Sequence, residues 1–375
     1  MVYRSINEDK VSLLGFGLLR PPKVDSNIDH DELQRMVDYA IENGVNYFET
    51  AFMYNYGRSE VALGHVLKKH DRSKLYISTK LHMPNVRSKE EISEAIETQL
   101  KRLNTDYIDN YLLHNVNRFS WSYFKESGMY GFLCDLRKDG IVRNIGFSFH
   151  DSPGLLKEVT KEYKWDFAQL QINYLDWSVQ RAQEQYEICT EDGLPVVVME
   201  PVRGGELARL PESVSNKFDD LSTGIKKTSA SYAIRWAASN PNVACVLSGM
   251  STIEHVKDNV ETFTNFTPIT LSEQNVIDEV VKDYLSMGLI PCTACGYCVY
   301  ECPKEIVIPY IFSCINEFTR TNDVKNFTFK KNVGPEQTRA EACIKCGKCL
   351  PHCPQKIDIP TVLGKDYLSV ERGAQ

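Results

Sequence analysis

Short apolar runs rich in β-branched and aromatic residues recur along the chain: Leu13–Leu19, Tyr47–Ala51, Leu75–Lys80, Tyr107–His114, Val142–Ser148, Phe167–Asn173, Pro195–Glu200 and Val243–Gly249. Runs of this length without polar alternation predict strands covered on both faces. Between them, apolar positions recur at helical spacing in Asp31–Asn43, Ser59–His70, Ser88–Leu103, Ser178–Asp192 and Thr228–Ser239. Eight strands interleaved with helices over roughly 250 residues predict an α/β fold, the (β/α)8 or TIM barrel. A doubly wound sheet would need a glycine-rich fingerprint after its first strand, and Gly15-Phe-Gly-Leu-Leu does not supply one. Thr267–Leu271 leads into one more helical pattern, Ser272–Met287. From Pro291 the texture changes to dense Cys, Gly and Lys, so a barrel domain over 1–285 and a smaller domain over 286–375 are expected.

Composition narrows the function. Of 375 residues, 42% are hydrophobic and 25% charged, as in ordinary globular proteins. A formal net charge of −7 argues against a nucleic-acid partner. No apolar run approaches the length of a membrane span, and the first residues lack the apolar core of a signal peptide, so a cytoplasmic protein is expected. The 12 cysteines fall unevenly: Cys134, Cys189, Cys245 and Cys314 are scattered, and the rest form two short blocks. In a reducing compartment such blocks read as metal ligands rather than disulfides.

Chemistry in a (β/α)8 barrel sits where strands end. Glu49, Lys80 and His114 close three consecutive expected strands, and Tyr54 follows Glu49 closely. Each residue has an ordinary structural explanation alone; the coincidence points to a proton-transfer site. A tyrosine phenol, with a reference pKa of about 10, is a poor acid near neutrality. A neighbouring ammonium favours its phenolate, a carboxylate holds that ammonium in place, and an imidazole can donate to a substrate oxygen.

Gly44-Val-Asn-Tyr-Phe-Glu-Thr-Ala-Phe-Met-Tyr54 followed by Gly57-Arg-Ser-Glu60 resembles the signature of the aldo-keto reductases. Ile77-Ser-Thr-Lys80 and Tyr111-Leu-Leu-His114 resemble two further segments of that family, and the likeness runs from about Tyr3 to Glu261. It implies that Tyr54 is the general acid, that Lys80 tunes it, and that His114 orients a carbonyl. Glu49 stands where the family has Asp, and Tyr56 competes with Tyr54 for the donor role. The resemblance also implies NADP or NAD as cofactor. Ser148 and Gln171 would hold the nicotinamide amide, with Phe149 where many members have Asn. Gly249, Ser251 and Thr252 would meet phosphate at a helix start, Asp258 and Asn259 the adenine, and Arg203 with Gly204 the pyrophosphate side. The segment Asn115–Tyr130, with Phe119, Trp121 and Phe124, is a candidate substrate wall or simply packing.

The two cysteine blocks are Cys292-x2-Cys295-x2-Cys298-x3-Cys302-Pro and Cys343-x2-Cys346-x2-Cys349-x3-Cys353-Pro. This is the run that holds [4Fe–4S] clusters in bacterial ferredoxins, where the fourth cysteine serves the other cluster. Two clusters are therefore expected, one on Cys292, Cys295, Cys298 and Cys353, the other on Cys343, Cys346, Cys349 and Cys302. Zinc is the competing metal, though its paired knuckles usually lie farther apart. Forty residues separate Cys302 from Cys343, some with helical character at Pro309–Thr319, which resembles a mostly helical ferredoxin-like domain. The whole resembles bacterial and archaeal aldo-keto-reductase-like proteins with a C-terminal dicluster domain.

Two functions follow. One is NAD(P)H-linked reduction of a small-molecule carbonyl, or oxidation of an alcohol. The other is electron transfer or redox sensing between a barrel-bound nucleotide or flavin and a redox protein partner. Hydride carries two electrons and a cubane cluster passes one, so three outcomes stay open: structural clusters, a flavin at the barrel mouth, or a flavin supplied by a partner. No flavin motif stands in the sequence.

Overall fold

The computed structural model describes residues 1–81, 88–221, 227–321, 323, 327 and 335–364. Residues 365–375 of the expected second domain lie outside them. Eight parallel strands close a barrel in sequence order: β1 (Leu14–Gly17), β2 (Tyr47–Glu49), β3 (Tyr76–Leu81), β4 (Ile108–Val116), β5 (Val142–Phe149), β6 (Phe167–Gln171), β7 (Val196–Met199) and β8 (Val243–Ser248). All eight fall inside or over the expected runs, and β8 returns to β1 with Val246 opposite Leu14 and Ser248 opposite Phe16.

Side chains fill the barrel interior. Tyr47, Leu112, Phe167, Val197, Cys245 and Leu247 form one buried cluster. Gly15 of β1 is obligatory there, because a Cβ would stand 2.6 Å from Cys245 Sγ and 2.8 Å from a Leu247 methyl. An N-terminal hairpin, Tyr3–Ile6 with Asp9–Ser12, adds Ile6 and Val11 to the same cluster. It plugs the end of the barrel opposite the functional face. Arg4 stitches this hairpin to the approach to β8, donating to the main-chain oxygens of Ala238 (2.9 Å), Asn240 (3.0 Å) and Val243.

Two expectations change. Ser178–Asp192 is not one helix: Asp176–Val179 ends, Arg181 takes a left-handed φ of 54°, and Ala182–Glu191 begins. Asn115–Tyr130 is largely helical, with Arg118–Ser127 followed by Met129–Lys138. Trp121 and Phe124 are fully buried in an aromatic cluster with Tyr163 and Trp165, so they pack rather than line a pocket. Phe119 alone is exposed.

The chain divides into two compact units, Met1–Val202 with Ala230–Thr270, and Arg203–Ser229 with Leu271–Gln375. The second unit is mostly helical, with Leu271–Ser286 and Ile308–Thr321 as its long helices. Ile306, Ile308, Ile311, Phe312, Ile315 and Ile359 lead its core, against which the cysteine runs pack. Asn316 holds the entry to the first run by bonding both the N–H (2.7 Å) and the C=O (2.9 Å) of Ile290. Among the described residues no helix is long and apolar enough to cross a membrane.

Candidate active site and cysteine centres

The ends of β2, β3 and β4 bring Glu49, Lys80 and His114 together with Tyr54. Behind Tyr54 the chain turns sharply, with left-handed φ at Asn55 (50°), Tyr56 (59°) and Gly57 (80°). Asn55 Nδ2 anchors this turn on the Leu19 carbonyl at 3.1 Å. The turn separates the two tyrosines. Tyr54 is buried, whereas Tyr56 is 74% exposed.

Lys80 is wholly buried. Its ammonium pairs with the Glu49 carboxylate, donates to the Thr50 carbonyl at 2.9 Å and reaches the Tyr54 hydroxyl at 3.2 Å. Burial pushes the Lys80 pKa well below the lysine value of 10.5. Glu49, equally buried, is the counter-charge that favours the ammonium. The longer Glu in place of Asp therefore still reaches the lysine. The His114 ring meets the Tyr54 ring edge to face at 5.7 Å and is also buried. The four residues expected from the sequence thus form one contiguous group.

A supporting layer escaped sequence reasoning. Gln169 Nε2 lies 3.4 Å from Glu49 Oε1. Gln99 Nε2 donates to Glu60 Oε1 (2.7 Å) and to the Lys80 carbonyl (3.3 Å), and Arg102 neutralises Glu60 at 3.0 Å. A Gln two positions before Gln171 in an apolar strand was the available signal for Gln169.

The expected nucleotide contacts scatter more widely. Ser148 Oγ accepts the Asn115 N–H at 2.8 Å, and Phe149 beside it is buried. Gln171 Nε2 donates to Asp176 Oδ2 at 2.7 Å. After β8, Gly249 leaves open space where a side chain would point. Ser251 Oγ donates to the Arg20 carbonyl at 2.8 Å, and Thr252 caps helix Ile253–Thr264. Asn259 Nδ2 donates to Ser248 Oγ at 2.8 Å, and the Asp258 carbonyl accepts from Thr262. Arg203 and Gly204 belong to the second unit. There Arg203 pairs with Glu206 at 2.8 Å, and Gly204 backs onto the Thr293 main chain, leaving no room for a Cβ.

In the second unit the two cysteine runs repeat one backbone course. Left-handed residues recur at matching places: Ala294 and Lys345, Gly296 and Gly347, Glu305 and Lys356. The Glu305 N–H bonds the Cys302 carbonyl as the Lys356 N–H bonds that of Cys353, both at 3.0 Å. Cys292, Cys295 and Cys298 line an apolar void whose further wall is Cys353 of the other run. The void thus gathers three cysteines from the first run and one from the second. Burial pushes the Cys349 thiol up to about 11, with the thiols of Cys343, Cys302 and Cys346 adding to the rise. Among the described residues no three such side chains converge as they would on a single ion.

Comparison with known proteins agrees with both halves. Residues 13–282 match the Aldo/keto reductase family model, and residues 291–357 match the model described as a 4Fe-4S dicluster domain. An oxidoreductase of Bacillus subtilis, YqkF, is 28% identical over 60% of this chain and 80% of its own. The NADH-specific methylglyoxal reductase of Escherichia coli is 25% identical over 58% of this chain and 78% of its own. The holo form of the aldo-keto reductase AKR11C1 from Bacillus halodurans superposes with a TM-score of 0.60 at 29% identity, over 75% of this chain and 96% of that one. This chain belongs to the aldo/keto reductase family, and it is an oxidoreductase that carries a 4Fe-4S dicluster domain after its barrel.

Proposed function

We propose that the barrel reduces a small-molecule carbonyl, or oxidises the matching alcohol, with NADP or NAD, and that the C-terminal domain holds two [4Fe–4S] clusters. The observation that carries the first part is the buried Tyr54–Lys80–Glu49 contact with His114 against it. Bound nicotinamide nucleotide supplies or accepts hydride, and iron–sulfur centres supply single-electron transfer.

The chain's own residues do the rest. His114 orients the carbonyl oxygen by hydrogen bonding. The Tyr54 hydroxyl gives its proton to that oxygen as negative charge develops. The Lys80 ammonium at 3.2 Å then stabilises the phenolate left behind. Glu49 keeps the ammonium charged despite burial. Exposure of Tyr56 to solvent leaves Tyr54 as the donor. Open space at Gly249 admits a phosphate beside the start of helix Ile253–Thr264. Ser148, Gln171 and Asn259, now held by Asn115, Asp176 and Ser248, would serve the rest of the nucleotide.

The second reading, electron exchange with a redox protein, is favoured by the four-sulfur void. It needs a two-to-one-electron converter, for which a flavin brought by the partner or bound at the barrel mouth serves. Anaerobic titration with NADPH alone tests this: bleaching of the iron–sulfur absorbance without flavin would overturn the need for a converter. The enzyme reading is tested by Tyr54→Phe. Carbonyl turnover should fall about 100- to 10,000-fold, with nucleotide binding, followed by fluorescence, retained. Full turnover in this variant would assign the proton to another group.

A further inference from the structure

The two cysteine runs share a backbone but not a surface. In the first run Cys295, the counterpart of Cys346, is partly buried, and the stretch through Ile306 carries Glu301 and Glu305 against Lys304. In the second run Cys346 is exposed. Around it Ile344, Lys345, Lys348 and Leu350 are exposed, and Lys356 lies exposed farther along. From Cys343 to Lys356 there is no carboxylate, only three lysines and His352, in a chain whose net charge is −7. Among the described residues none of these lysines enters an ion pair; the nearest pairing is His352 with Glu301 at 3.8 Å. Ile344 is 59% and Leu350 42% exposed, so two large apolar side chains stand near the exposed sulfur along the chain, interleaved with Lys345 and Lys348, with Glu341 and Asp358 as the nearest carboxylates in sequence on either side.

A small apolar centre with a charged rim is the usual anatomy of a transient interface. Charge at such a rim speeds encounter and selects partners of opposite sign more than it adds affinity. We propose that the Cys343–Lys356 surface is the docking site for an acidic one-electron carrier protein, and that electrons enter or leave beside Cys346. The inference rests on the reading that the domain holds two clusters. In each transfer the carrier loses one electron and the centre held by Cys343, Cys346, Cys349 and Cys302 gains it, or the reverse; no bond forms or breaks. Lys345 and Lys348 steer the carrier, and Ile344 and Leu350 supply the contact that excludes water between the two centres.

The test uses the full iron-loaded chain and a reduced acidic [2Fe–2S] ferredoxin as the probe, with a basic c-type cytochrome as the opposite-charge control. Stopped-flow rates with the ferredoxin should fall roughly 10-fold or more between about 0.01 M and about 0.5 M salt, as steered encounters do. The cytochrome should show no such fall. Isothermal titration should detect the oxidised ferredoxin binding at low salt. Lys345→Glu with Lys348→Glu should abolish that binding and slow exchange by a similar factor, while iron and sulfide content and carbonyl turnover stay unchanged. Should that variant lose iron, Lys356→Glu and the salt series on the unaltered protein still decide. A protein that takes up no iron fails the two-cluster reading and this inference with it. Loaded protein whose exchange is independent of salt and of these lysines overturns this inference alone.

Discussion

The buried Glu49–Lys80 pair makes a quantitative demand on stability. Both side chains lie within the barrel, and among the described residues the ammonium meets Glu49, the Thr50 carbonyl and Tyr54. Removing one partner of a buried pair leaves the other charge uncompensated, at a cost of about 3–5 kcal/mol. Lys80→Met strands Glu49 with Gln169 at 3.4 Å and also deprives the Thr50 carbonyl of its donor, adding about 1 kcal/mol. Glu49→Leu strands Lys80, which can shed its proton because burial already lowers its pKa from 10.5. The folded state then binds fewer protons than the unfolded chain. Stability of Glu49→Leu should therefore rise with pH toward 10.5 and be poorest in acid. The double variant Glu49→Leu/Lys80→Met removes both charges and should recover most of the loss, since apolar replacement of a buried pair is often near neutral. Denaturant unfolding followed by tryptophan fluorescence is the assay. Trp121, Trp165, Trp177 and Trp236 all belong to the barrel unit, so the signal reports that unit alone. Single variants costing under about 1 kcal/mol, or a double variant costing the sum of the singles, would refute the buried-pair argument.

Two further predictions concern other parts of the chain. Cys302→Ser should remove roughly half of the bound iron, leaving the signal of the centre on Cys292, Cys295, Cys298 and Cys353 in electron paramagnetic resonance; loss of that signal instead would reverse the assignment. Burial tends to raise the Asp151 carboxyl, but hydrogen bonds from Arg118 and the Ser152 N–H outweigh it and lower the pKa from 3.8 to about 2. The resulting stabilisation is present above pH 3.8 and is lost as pH falls to about 2. Arg118 is 64% exposed, so high salt should shrink the effect, and Asp151→Asn should remove it from an acid-unfolding curve.

What could be read from the sequence follows from where the information lies. The barrel strands are buried on both faces, so each shows as an unbroken apolar run regardless of its neighbours. Lys80 and His114 show because a titratable group at the end of such a run is conspicuous. The cysteine runs show because their chemistry is written in local spacing along the chain. Tertiary contacts leave no such trace. The break at Arg181 arises where buried Asp176 is gripped by Gln171 (2.7 Å) and Asn173 (2.7 Å), partners that only folding supplies. Trp121 and Phe124 look like pocket walls until the helix at Arg118–Ser127 turns them toward Tyr163 and Trp165. Gln99 is a single glutamine on a helix, and its hold on the Lys80 carbonyl arises only once that helix packs back on its strand.

The closure between β8 and β1, with the Arg4 stitch beside it, has a consequence for how the chain leaves the ribosome. Leu14–Gly17 is made early, yet one of its edges is paired only by Val246, Leu247 and Ser248. At ordinary elongation rates of about 5–20 residues per second, the wait between the two is roughly 10 to 50 s. Throughout that time the nascent sheet exposes an unpaired apolar edge, and the N-terminal hairpin has no carbonyls at Ala238, Asn240 and Val243 to hold it. Products of premature termination before Val243 are therefore open sheets with a reactive margin, substrates for chaperones or for aggregation.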